Sequence, residues 1–307
     1  MDGGKGTVVP DYFTVRETPP LRDPVLIAAF KGWNDAAEAA SSAVRFMVKE
    51  WSAPSVAAMN TEEFYDFSET RPRVRLVDGL SREIEWPSLE LYAHADETLE
   101  RDIVLMVGHE PQLRWPTFAR EVLALVERFG VSQVVLLGAL LADVPHTQPP
   151  RLIGSASDAR LRERFEGLNI ALSRYEGPTG IVGVLQDVCG RQGLPTISLW
   201  GNVPHYITAS PNPHVSISLL RQVDDLFGLR LNLRPLEGQA RRFRARVDEA
   251  IAQSPEALTY VHELEARSED DTMPGERSSL PTGPEVVRAL EEFLRQQRTD
   301  SDNDEDD

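Results

Sequence analysis

Four short apolar runs set the frame of this chain. Residues 25–30 (VLIAAF), 103–107 (IVLMV), 134–141 (VVLLGALL) and 195–200 (PTISLW) contain almost no charged side chains. Runs of this length read as strands buried on both faces, which is the signature of a parallel sheet covered by helices. Helical spacing follows or separates them. Ala36, Ala40, Val44, Met47 and Trp51 share one face, as do Phe118, Val122, Leu125, Val126 and Phe129 in a helix over 116–129. A third set, Ile181, Leu185 and Val188, begins after Gly177-Pro178-Thr179-Gly180, and a fourth runs over 213–227. Residues 158–166 predict a charged helix. Residues 55–59 predict a further strand, and 73–95 alternate in places around Asp78-Gly79, which predicts antiparallel strands or a hairpin. Strands alternating with helices at these lengths give an α/β fold with a mixed, largely parallel sheet flanked by helices.

The pattern changes beyond residue 230. Phe243, Val247, Ile251, Leu258, Val261 and Leu264 are spaced for packing along one or two helices. The expected organisation is a loose arm over 1–24, an α/β core over 25–232 and a helical extension over 233–267. An acidic linker over 268–283, a last amphipathic helix over 284–298 and a disordered acidic tail over 299–307 complete it. No internal repeat is present.

Charge narrows the partners. The 307 residues carry a net charge of −17, and six of the acids lie within 300–307. An acidic body repels phosphate backbones, so nucleic acid is not an expected partner. The single cysteine, Cys189, lies on the apolar side of its helix, excludes an internal disulfide and fits a reducing compartment. The first residues, MDGGKGTVVPDYF, lack the apolar core of a signal peptide, and the apolar runs are too short to span a bilayer. A cytoplasmic protein with no membrane partner is expected.

Candidate chemistry sits at four strand ends: GWND (32–35), GHEP (108–111), ADVPHT (142–147) and GNVPHY (201–206). Ligands of open α/β sheets bind beyond the carboxyl ends of the strands. Parallel strands would bring Trp33, Asn34, Asp35, His109, Glu110, Asp143, His146, Asn202, His205 and Tyr206 to one rim, the candidate pocket. The same residue types serve turns and caps, and Asn34 and Asp35 fit a helix cap equally well. The loop histidines lack a metal-ligand spacing such as H-E-x-x-H, so no metal is expected. Glu110, Asp143 and a histidine suit acid–base work, but no nucleophile accompanies them, so no catalytic residue is assigned. No G-x-G-x-x-G, G-x-x-x-x-G-K-[ST] or G-x-S-x-G sequence is present, so no cofactor is expected. Arg241, Arg242, Arg244 and Arg246 around Phe243 read as a solvated helix face or a docking patch for an acidic partner.

The segments LIAAFKGWNDAAEAASSAVRFM (26–47), DIVLMVGHEPQLRW (102–115), LLGALLADVPHT (136–147) and PTGIVGVLQDVCGRQGLPTISLWGNVPHY (178–206) resemble the proteasome assembly chaperone 2 family, in its long actinobacterial branch. The resemblance covers about residues 24–265. It implies a fold similar to purine nucleoside phosphorylase, homo-oligomers with a trimer favoured, and a protein-binding assembly role with proteasome α-subunits or other proteins as partners. Some relatives end in a hydrophobic–Tyr–any-residue tripeptide that docks on the α-ring; this chain ends in Glu305-Asp306-Asp307. The alternative is an enzyme or small-molecule binder that uses the strand-end pocket for a nucleoside- or carboxylate-like ligand. An ATP-dependent ligase belongs to that alternative, since the family sometimes carries such a label, though the chain shows no phosphate-binding loop.

Overall fold

The computed structural model describes residues 12–78, 81–168 and 170–270. The apolar runs form the centre of a nine-stranded sheet. Four adjacent strands are parallel, in the order β7 (Ile103–His109), β2 (Val25–Lys31), β8 (Gln133–Ala142) and β11 (Thr196–Pro204). Outside β7 lie β6 (Leu89–His94), β3 (Ser55–Met59) and β1 (Phe13–Val15), each antiparallel to its neighbour. On the other side β9 (Leu152–Ala156) runs antiparallel to β11, and the short β10 (Ala171–Leu172) pairs with β9. β4 (Arg73–Val77) and β5 (Ser81–Glu85) form a separate two-stranded hairpin. β2 and β7 are buried except at their last residues, whereas β6 alternates buried and half-buried positions, as a strand with one covered face does.

Successive strand residues point to opposite faces, so one sheet supplies two cores. Val25, Ile27, Ala29, Leu105, Val135 and Leu199 face one core, under α1 (Ala39–Glu50) and α5 (Pro213–Phe227). Leu26, Ala28, Phe30, Met106 and Leu136 face the other, under α2 (Trp115–Arg128) and α4 (Ile181–Arg191), where Cys189 is buried. A charged helix, α3 (Ala159–Glu166), packs beside β9. Full burial of each such aliphatic side chain contributes about 1.5–3 kcal/mol.

The helical extension is two helices, α6 (Arg234–Ala252) and α7 (Pro255–Asp270). Phe243, Val247, Ile251, Tyr260, Val261 and Leu264 pack with Tyr206 and Ile207, the residues immediately after β11. The extension is therefore fixed to the carboxyl edge of the sheet. Two boundaries differ from the sequence expectation. Within the arm over 1–24, Phe13–Val15 is an edge strand, because Phe13 gains a buried position in the core under α2. The helix expected to stop near 267 continues to Asp270, so 268–270 are helical rather than linker. The rest of that linker, the helix over 284–298 and the tail over 299–307 lie outside the described residues.

Candidate functional site

Because β7, β2, β8 and β11 are parallel neighbours, all four polar strand ends lie on one edge of the sheet. They do not form one pocket. They divide into a knot at Glu110, a seam at His146, and residues left in the open.

The knot is built where β2 and β7 end. Glu110 is buried, and its carboxylate accepts from Asn34 Nδ2 at 2.6 Å, from the Ile181 backbone N–H at 2.8 Å and from the Trp33 N–H at 3.2 Å. Ile181 opens α4, and the preceding Gly180 has no side chain to cap it. Glu110 thus supplies that cap, and its negative charge suits the positive end of the helix. Gly180 is required, since a Cβ there would strike the Asn34 side-chain amide. Asp35 does comparable work for α1: its Oδ1 accepts from Ala40 N–H at 2.7 Å and Ser41 N–H at 3.2 Å. Burial pushes the Asp35 carboxyl above the usual range, and the Ser41 and Ala40 donors oppose that shift. The Asn34 carbonyl extends the sheet by accepting from Ala139 N–H at 2.8 Å. Between cap duty and ladder duty, Asn34, Asp35 and Glu110 hold the loops of three strands and two helices together.

The seam joins the core to the extension. His146 has a side chain only 6% exposed. Its Nδ1 lies 2.7 Å from Tyr206 Oη and its Nε2 lies 3.0 Å from Asp248 on α6. Tyr206 Oη also accepts from the His146 backbone N–H at 2.7 Å, and Arg244 donates to the His146 carbonyl at 2.6 Å while it pairs with Asp248. His205 sits 3.1 Å from an Asp143 carboxylate oxygen through Nδ1, and 3.2 Å from Tyr260 Oη on α7 through Nε2. Burial lowers the His146 pKa below its ordinary value, and the hydrogen bond to Asp248 works against that shift. Burial pushes the Tyr260 hydroxyl up to about 12. The space left at this seam is a cavity of about 30 Å³ that includes His146, Asn202 and Val247 in its wall. That holds a water or two, not a metabolite.

Trp33, by contrast, is 64% exposed. Asn202 lies inside β11 rather than on a loop and is buried. His109, the last residue of β7, turns to the α1 side, where it borders a second cavity of about 200 Å³. Glu110 has no hydrogen bond or ion pair to Asp143, His146 or His205 among the described residues. No group of three His, Cys, Asp or Glu residues among those described converges on a metal-sized space.

Residues 29–251 match the sequence profile of the PAC2 family. The chain belongs to the PAC2 family. It is similar to a solved proteasome-assembly chaperone homologue of Mycobacterium tuberculosis, with 42% identity, a TM-score of 0.70, and coverage of 77% of this chain and 99% of that one. It is likewise similar to a PAC2 family protein of Streptomyces avermitilis, at 43% identity and a TM-score of 0.71, covering 78% and 100% of the two chains. The archaeal proteasome activator PbaB of Pyrococcus furiosus shares the fold at 19% identity and a TM-score of 0.63, over 77% of this chain and 97% of its own. No curated protein matches the chain. In this PAC2 protein no helix of the described residues is long and apolar enough to cross a membrane.

Two features of the PAC2 edge were not singled out by sequence reasoning. One is the role of Ile181 N–H as a partner of Glu110. The other is the exposure of the expected hairpin's apolar face: the β4–β5 pairing puts Val74 opposite Ile84 and leaves Val74, Leu76, Ile84 and the following Trp86 between 56% and 61% exposed. The alternation of Val74 and Leu76 with Arg73 and Arg75 predicts the strand but not whether its apolar face is covered.

Proposed function

We propose that this PAC2 protein is a protein-binding assembly factor with no chemistry of its own. The observation that carries this reading is an inversion at the sheet edge. Glu110, Asp35, His146 and His205 are spent on internal bonds, while Trp33 and the apolar face of the β4–β5 hairpin face solvent. A two-stranded hairpin is marginal by itself, and an exposed apolar face of four large side chains beside a charged one marks a contact surface for protein. The Mycobacterium tuberculosis relative named a proteasome-assembly chaperone homologue supports the same class of activity.

The finer reading is that the clients are proteasome α-subunits and that the protein works in the cytoplasm as a homo-oligomer, with three copies expected. The strand-end residues Trp33, Asn34, Asp35, His109, Glu110, Asp143, His146, Asn202, His205 and Tyr206 then act as the frame of the docking edge rather than as a catalytic pocket. The test uses purified α-subunits from the same cell. The native chain is expected to retain them in a pull-down, and V74S/L76S/I84S is expected to lose them while its circular dichroism is unchanged. Equal retention by the two proteins, or none by the native chain, refutes the reading. Light scattering on the eluting protein gives the copy number directly, and a monomer mass ends the oligomer part.

A further inference from the structure

The cavity beside His109 has a chemistry that the docking edge does not use. Its wall on α1 carries Arg45 and Lys49, one helical turn apart; its floor carries Glu90 and Tyr92 of β6; its end carries Ser88 and His109. Arg45 and Lys49 are exposed and form no ion pair among the described residues. That is unusual placement in a chain with 49 acids against 32 bases. Glu90 is turned to donors, with Ser55 Oγ at 3.1 Å and Tyr92 Oη at 3.2 Å. His109 Nδ1 is buried and has no hydrogen-bond partner among the described residues. The His109 ring therefore borders the cavity through its other atoms, close enough to sense a charge placed there.

We propose that this cavity is a binding site for a small hydroxylated anion, its phosphoryl or carboxylate group held by Arg45 and Lys49 beside the His109 ring and a hydroxyl accepted by Glu90. The volume of about 200 Å³ suits this class, since a cavity of about 150 Å³ already takes a benzene-sized molecule. Paired cations make charge-assisted bonds to an anion, which are the strong ones. Glu90 sets the limit on the ligand: a carboxylate on the floor repels a second negative group and rewards a hydroxyl. Burial and the charges of Lys31, Arg45 and Arg73 hold the His109 ring below its usual pKa. An anion in the cavity would offset those charges and raise it, which gives a readout that no catalysis is needed to see.

Ligand binding is read without any client, so the test can fail separately from the pull-down. The full chain is titrated with inorganic phosphate and, separately, glycerol 3-phosphate at constant ionic strength, with chloride as control. The His109 resonance is followed by histidine NMR and assigned with H109Q. Phosphate is expected to shift His109 saturably and to raise its pKa, with glycerol 3-phosphate binding more tightly. R45A/K49A, which removes two exposed side chains, is expected to weaken binding at least about tenfold, the loss of one charge-assisted contact. A non-saturating shift, the same shift with chloride, or unchanged affinity in R45A/K49A overturns the site. Equal affinity for the two phosphates overturns the Glu90 contact.

Discussion

Replacing Glu110 by Ala tests whether the strand edge is a frame or a reactive site. The substitution strands three donors: Asn34 Nδ2 and Ile181 N–H in the interior, and Trp33 N–H where water has partial access. A buried donor left unmade costs about 1–3 kcal/mol, so the two interior donors together cost about 2–6 kcal/mol. Loss of the charge at the α4 N-terminus adds about 0.5 kcal/mol. The variant also no longer has to desolvate a carboxylate, which returns part of the loss. A net destabilisation of about 3 kcal/mol follows, or roughly 6–12 °C in the thermal midpoint for a domain of this size. Urea unfolding with an unchanged slope should show the same loss in the midpoint. Glu110→Gln keeps one acceptor oxygen and is expected to fall between the two. If Glu110→Ala unfolds within about 1 kcal/mol of the native chain, those hydrogen bonds do not organise the edge, and a ligand-directed role for Glu110 regains its place.

The remaining expectations concern pH and close packing. His146 is held below its ordinary pKa, so the unfolded chain takes up a proton more readily than the folded one. The stability it contributes is complete above about pH 6.5, the unfolded value, and is lost as pH falls below it; His94, His109 and His214 are shifted the same way. Amide exchange in α6 and α7 should therefore speed up on acidification through that window, less steeply in His146→Gln, and a pH-independent seam would contradict the assignment. Gly108→Ala should cost about 1–3 kcal/mol in urea unfolding, because the new Cβ meets the Ser88 carbonyl and lies 2.5 Å from Leu89 Cα on the paired strand. A neutral result there would show that β6 can move away from β7.

The amino-acid order by itself determined the central strands of this protein and the helices that cover them, though not the short strands β1, β9 and β10. Residues 25–30 and 103–107 can bury only as central strands because neither face offers a polar side, and the spacing of Ala40, Val44 and Met47 can bury only as a helix. Residues 32–35, 108–111 and 142–147, together with His205 and Tyr206, were also legible as strand ends, since a parallel sheet delivers all such ends to one side. What the order of residues left open was the choice between partner and ligand for each polar group. Glu110 meets Ile181 across 71 positions and His146 meets Asp248 across 102, and no local spacing encodes either pair. Asp35 could be read as a cap because its donors are five and six residues away; Glu110 could not. The tertiary structure decided that the carboxylate and the histidine close the fold upon itself, because burying a polar group is tolerated only when a partner arrives with it, and here the partners come from distant segments.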